Sequence, residues 1–149
     1  MKFLIVILAF IALTRAEGEY KVKSVAEIFA FQDECLKEVT LSEEQVKQVK
    51  DFVFEDEEPV RKYLLCAVKK MGVFSEESGY IPQNTAKQFK LDLDEAEVLA
   101  VAHSCADKNE QGSSVDVWAY RGNQCLTASK VGEKITAYLK QVQEAVKKQ

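Results

Sequence analysis

Histidine is nearly absent: His103 is the only one in 149 residues, and there are only two prolines and six glycines. One imidazole gives no His pair, and the four cysteines have 30, 38 and 19 residues between successive members, so the close ligand spacing of a zinc site is missing. The sequence also lacks a Gly-rich phosphate loop, a G-x-S-x-G element and an H-E-x-x-H element. The acid pairs Glu57-Glu58 and Glu76-Glu77 flank loops, where charge runs are usually solvated. Neither catalysis nor a cofactor is expected. No N-x-Ser/Thr acceptor occurs, so N-glycosylation is not expected. Internal repeats, low-complexity tracts and Gly/Ser linkers are also missing, which leaves no boundary between domains.

The one long apolar run stands at the N-terminus. Lys2 is followed by Phe3 to Leu13 without a polar side chain, and Thr14-Arg15-Ala16 ends in a small residue. This is the order of a secretory signal peptide, and the run is shorter than the roughly 20 residues a membrane span needs. The expected division is a leader over residues 1–16 and a single domain over 17–149. The leader holds two of the 20 basic residues and none of the 24 acidic ones, so the mature chain carries 18 against 24, a net of -6. An acidic surface of this kind argues against nucleic acid and anionic membranes as partners. No membrane insertion is expected once the leader is removed. An even number of cysteines in an oxidising compartment implies two disulfides. Spacing alone leaves all three pairings open.

Helical periodicity runs through almost every segment. Ser24 with Glu27 forms a capping box, followed by Val25, Ile28, Phe29, Gln32 and Leu36 on one face. Thr40 with Glu43 reads as a second box, ahead of Val46, Val49 and Val53. Pro59 suits the first turn of a helix whose stripe is Val60, Tyr63, Leu64, Ala67, Val68 and Met71, ended by Gly72. A polar loop spans about Ser75 to Gln83, then a short helix carries Ala86 and Phe89. Asp94 can cap the helix that bears Val98, Leu99, Ala102 and Cys105. A further helix carries Val117, Trp118, Tyr120 and Cys125, and the last has Ile135, Tyr138, Leu139, Val142 and Val146 at helical spacing. No strand alternation is evident. The expected fold is all-α, a bundle of six or seven short helices.

The cysteine positions then become specific. The chain resembles the insect pheromone and general odorant-binding protein family, whose six cysteines have three residues between the second and third and eight between the fifth and sixth. "KYLLC" and "DVWAYRGNQC" place the second and fifth positions on Lys62 and Asp116, with Cys35, Cys66, Cys105 and Cys125 as the remaining four. The resemblance covers about Val25 to Ala128 and points to a four-cysteine branch. It implies bridges Cys35–Cys66 and Cys105–Cys125, because the two missing cysteines pair with each other in the family. Lys62 and Asp116, of opposite charge at the vacated positions, are candidates for an ion pair worth roughly 0–1 kcal/mol if exposed. A looser centre than in six-cysteine relatives is also implied.

The same resemblance implies an apolar cavity between helices and a carrier of small hydrophobic ligands. By family position the lining is expected from Ile28, Leu64, Val68, Met71, Phe74, Phe89, Leu99, Ala102, Tyr120 and Leu126, with the Tyr138 hydroxyl near the mouth. For each, ordinary core packing is the competing reading. Trp118 is expected at the periphery, His103 at the surface rather than as a pH sensor, and the tail after Cys125 as a cover. The apolar stripe of the last helix, Ile135 to Val146, must bury on the body or on a second copy, and a homodimer or a receptor contact is the candidate protein partnership. The alternative is a secreted structural or signalling protein with a filled core that acts through a protein partner. Lack of displaceable binding, together with lack of any cavity above about 100–200 Å³, would favour that alternative over a carrier.

Overall fold

Ser24 opens the first helix as its capping box predicts: its hydroxyl accepts from the Glu27 backbone N–H, and the Glu27 carboxylate accepts from the Ser24 N–H at 2.7 Å. A computed structural model describes residues 18–148. The leader over residues 1–16 lies outside the described residues. Among those described are seven helices and one small hairpin: α1 (Val25–Glu38), α2 (Glu43–Lys50), α3 (Glu58–Met71), β1 (Phe74–Ser75), β2 (Gly79–Tyr80), α4 (Pro82–Phe89), α5 (Glu95–Cys105), α6 (Val115–Thr127) and α7 (Lys130–Lys147). The all-helical expectation holds, and α3 is a 14-residue helix with Pro59 in its first turn and Gly72 as its C-cap.

Several local expectations are corrected. The cap of α2 is Ser42 with Gln45, not Thr40 with Glu43. That helix stops at Lys50 because Phe52 takes a left-handed conformation (φ 58°), so Val53 leaves the stripe and is exposed. Part of the loop expected from Ser75 onward is an antiparallel pair, Phe74 opposite Tyr80 and Ser75 opposite Gly79. Trp118 is buried rather than peripheral. It stacks edge-on with Phe74 at 5.5 Å, and its indole N–H donates to the Asp107 carbonyl. The last helix is long rather than short, at 18 residues.

Three apolar clusters make the core. Ile28, Leu64, Val68 and Met71 pack with Val73, Phe74, Trp118 and Ala119. Cys35, Val49, Val60, Tyr63 and Ala67 form a second cluster between α1, α2 and α3. Ala86, Val98, Val131, Ile135 and Leu139 join α4, α5 and α7. All six residues of the α3 stripe read from the sequence are buried. Burying an aliphatic side chain of this size contributes about 1.5–3 kcal/mol, so α3, central to two clusters, is the main organising element.

Covalent and ionic ties complete the frame. Cys35–Cys66 joins α1 to α3, and Cys105–Cys125 joins α5 to α6, as the resemblance implied. At the vacated positions the candidate Lys62–Asp116 pair does not form. Lys62 instead bonds Glu58 one turn earlier, at 2.5 Å. Asp116 is taken by Arg61, whose Nε donates to it at 2.9 Å, while the Arg61 Nη1 reaches Asp56 at 2.7 Å. The reason is rotational: Lys62 lies on the solvent side of α3, whereas the Arg61 side chain is mostly buried and turned toward α6. Burial pushes the Asp116 carboxyl up, but hydrogen bonds from Ser114 and Arg61 and the Arg61 charge outweigh it, and the net shift is downward.

Helices α6 and α7 meet at very short range. A Cβ on Gly132 would come within 2.0 Å of the Leu126 carbonyl oxygen, so only glycine permits that seam. The Ser129 hydroxyl caps α7 by accepting from the Gly132 N–H at 2.9 Å.

Candidate functional site

A cavity lies where α1, α3, α6 and α7 converge, with the end of α4 and the α2–α3 loop adding to its wall. From α1 come Ile28 and Gln32; from α3 come Tyr63, Leu64, Ala67, Val68 and Met71. The loop supplies Phe52 and Phe54, α4 supplies Phe89, and α6 supplies Asn123, Leu126 and Thr127. Gly132, Ile135, Thr136 and Leu139 of α7 form the remaining wall, together with Val73 and Tyr80 beside the hairpin. The tail after Cys125 thus forms part of the enclosure, in the position the sequence suggested for a cover.

The free volume is about 90 Å³. That is below the 100–200 Å³ bound set from the sequence and below the ~150 Å³ of an engineered cavity that admits benzene. A molecule of odorant size therefore enters only by displacing wall atoms. Met71 can yield, because its unbranched side chain has three rotatable bonds.

Most of the wall is apolar, and its polar groups are few. The Tyr80 hydroxyl donates to the Ala119 carbonyl at 3.1 Å, and the Thr127 hydroxyl donates to the Asn123 carbonyl at 2.9 Å. Burial pushes the Tyr63 hydroxyl well above the usual phenol range, with the Asp33 charge adding to it, and Tyr80 is raised by burial alone. Both stay neutral at physiological pH. No lysine, arginine or histidine lines the cavity.

Outside this cavity runs an open groove of about 310 Å³, lined by Val22 to Val25, Lys87 to Leu91 and Tyr138. Ile28, Phe89, Ile135 and Leu139 line both spaces and so form the partition between them. Tyr20 secures the floor of this region, sharing its hydroxyl hydrogen between the Met71 carbonyl (2.8 Å) and the Gln88 side-chain oxygen (2.7 Å). Buried Gln88 also exchanges two hydrogen bonds with the Lys23 backbone, at 2.8 and 2.9 Å.

Of the eleven lining residues read from the sequence, the structure brings six together around the cavity: Ile28, Leu64, Val68, Met71, Phe89 and Leu126. The other five stand elsewhere. Phe74 is buried against Tyr80 and Trp118, because the hairpin turns its ring away from the cavity. Leu99 packs beside the α4–α5–α7 cluster. Ala102 borders a separate void of about 10 Å³ under Tyr80 and Gly122. Tyr120 bonds the Phe54 carbonyl at 3.2 Å, holding the α2–α3 loop to α6. Tyr138 is 39% exposed and faces the outer groove. His103 is exposed on α5.

Sequence reasoning missed Phe52 and Phe54, since a loop carries no periodic signal. It also missed Asn123, Thr127 and Thr136, which the apolar-stripe criterion discards. Ile135 and Leu139 were legible as a stripe but were assigned to the cover rather than to the wall. Among the described residues, no three His, Cys, Asp or Glu side chains come together to hold a metal, and no helix is long and apolar enough to cross a membrane.

Comparison with known proteins agrees with this architecture. A general odorant-binding protein 99a of Drosophila melanogaster is 34% identical over 129 residues, covering 85% of this chain and 89% of that protein. Odorant-binding protein 22 of Aedes aegypti is 27% identical over 126 residues, with 85% and 89% covered. General odorant-binding protein 99b of Drosophila melanogaster is 26% identical over 139 residues, with 87% and 93% covered. The PBP/GOBP family model matches residues 17–129, which takes in both disulfides and every helix from α1 to α6. With its paired cysteines, its helical frame and its apolar enclosure, the chain belongs to the PBP/GOBP family.

Proposed function

We propose that the protein is a secreted carrier that reversibly binds small hydrophobic molecules in the α1–α3–α6–α7 cavity and moves them through an aqueous fluid. The observation that carries this reading is the apolar wall built mainly from four helices in a chain of this family. Burial at about 25 cal/mol per Å² of apolar surface supplies the affinity, and a few polar groups set orientation. The leader over residues 1–16 directs the chain out of the cell, and residues 17–149 form the working domain. Transport rather than catalysis fits a wall with no cationic side chain and no nucleophile paired to a base.

The test is displacement of N-phenyl-naphthylamine fluorescence from the mature chain by alcohols, ketones and fatty acids, with mass spectrometry of whatever co-purifies from native fluid. Saturable, displaceable binding is expected. A second reading is a helical signalling protein that acts through a partner or a second copy. It is favoured by the small cavity and by Val22, Tyr138 and Val146 at the surface, 49%, 39% and 56% exposed. No displaceable binding, together with a stable complex formed through those residues, would replace the carrier reading with this one.

A further inference from the structure

Asn123 carries the strongest unexplained feature of the cavity. Its side-chain Nδ2 is buried and has no hydrogen-bond partner, the only such side-chain atom among the described residues. A buried amide donor left unpaired costs about 1–3 kcal/mol, so a native structure rarely keeps one without a use. Asn123 is also part of the cavity wall. The two wall hydroxyls nearest in kind do not accept from it: Thr127 donates to the Asn123 and Gln124 carbonyls, at 2.9 and 3.3 Å, Tyr80 donates to the Ala119 carbonyl at 3.1 Å, and neither is bonded to Nδ2.

The charge balance of the wall narrows the occupant further. No lysine, arginine or histidine lines the cavity, and Tyr63 and Tyr80 remain neutral phenols. A carboxylate carried inside would shed its hydration without gaining a cation, which is prohibitive in an apolar enclosure. A neutral oxygen loses far less and is compensated by one donor.

We propose that Asn123 is the specificity-determining residue of the site: its amide donates to a neutral oxygen acceptor (carbonyl, ether or hydroxyl) on an otherwise apolar ligand. The inference rests on the carrier reading and adds the class of ligand and the residue that selects it. A pure hydrocarbon leaves the amide unpaired, and a carboxylate is excluded from the interior.

The experiment compares methyl hexyl ketone, nonane and octanoate as competitors for N-phenyl-naphthylamine, on the full mature chain and on Asn123→Leu, a substitution of similar size. In the wild type the ketone displaces the probe more strongly than octanoate at pH 7. In Asn123→Leu the ratio of ketone to nonane affinity falls by about 3- to 10-fold, the worth of one neutral hydrogen bond, while nonane binds at least as well as before. A ketone-to-nonane ratio unchanged by the substitution overturns the proposal, as does octanoate binding tighter than the ketone. A measurement on the wild type alone guards against a variant that fails to fold. The Asn123 side-chain amide resonances shift when the ketone binds and stay in place with nonane, and equal response to both also overturns the proposal. If none of the three competitors displaces the probe, the carrier reading itself fails. Equal binding of ketone and nonane leaves that reading intact and removes only the role of Asn123.

Discussion

Filling the cavity should separate binding from stability, and Ala67→Leu is the substitution that does so. Ala67 is buried on α3 and belongs to the cavity wall. An unfilled space of about 90 Å³ costs roughly 2 kcal/mol at ~24 cal/mol per Å³ of void. Three added carbon groups recover about 0.8 kcal/mol each by transfer from water, roughly 2.4 kcal/mol together. Overpacking returns about 1–3 kcal/mol of strain, because the leucine also presses on Val60 and Tyr63. The net change should therefore lie within about 1–2 kcal/mol of zero, a shift in Tm of no more than about 10 °C. Probe affinity should fall by more than tenfold, since the added side chain and the ligand compete for one space. Thermal unfolding by circular dichroism and probe titration read the two quantities separately, with Ala26→Leu on the exposed face of α1 as control. Wild-type affinity in Ala67→Leu would refute the placement of the site. A loss of more than about 3 kcal/mol would refute the cavity as space available to be filled.

Four further outcomes follow from the frame. Breaking the Arg61–Asp116 bond in a double-mutant cycle (Arg61→Met, Asp116→Asn, both) should give a coupling energy of about 0.5–1.5 kcal/mol in urea unfolding, because both side chains are more than four-fifths buried. Coupling near zero would mean that α3 and α6 are held by packing alone. Gly132→Ala should destabilise by more than about 2 kcal/mol in the same assay, since its Cβ would collide with the Leu126 carbonyl. Two of the lowered carboxyls, Asp107 and Asp116, lie partly buried and contribute to the pH dependence. Asp107 is held down first by its hydrogen bonds from Arg121, and Asp116 is lowered on balance by Ser114 and Arg61 despite its burial. Depressed folded values stabilise above the ordinary carboxylate range and lose that contribution as pH falls below about 4, so Asp107→Asn should flatten the acid side of the stability curve. Replacing the Cys35–Cys66 pair by alanines should cost about 2–4 kcal/mol in chemical unfolding, more than loss of any exposed ion pair such as Lys62–Glu58.

Much of the frame was legible in the sequence because its signals are local. The stripe from Val60 to Met71, the Pro59 start and the Gly72 end are read within one helix, and all appear as expected. The Ser24–Glu27 box likewise needs only four residues of context. Positions fixed by tertiary geometry were harder. Whether Arg61 or Lys62 meets Asp116 depends on the rotation of α3 against α6, which one residue of offset reverses. The ring of Phe74 is turned aside by a two-residue hairpin that has no alternating pattern to announce it. Lining residues from α3 were identified because one face of a central helix must point inward. Those from the α2–α3 loop were not, since the left-handed turn at Phe52 decides their direction. Asn123 was passed over because apolarity was the criterion, and the polar exception in an apolar wall is invisible to it.

The two disulfides join α1 to α3 and α5 to α6, and neither reaches α7. Beyond Ser129 the last helix is held only by noncovalent means: the capping hydroxyl, the Gly132 seam, the Gln143 bond to the Lys50 carbonyl at 3.1 Å, and the burial of Val131, Ile135 and Leu139. Those three side chains account for about 1.5–3 kcal/mol each, and their release breaks no covalent bond. Permanence and exchange are thereby assigned to different parts of the molecule. The cross-linked helices α1, α3, α5 and α6 form a chassis whose ties are covalent. Helix α7, which shares in the partition between groove and cavity, is the one wall that can shift without breaking a cross-link.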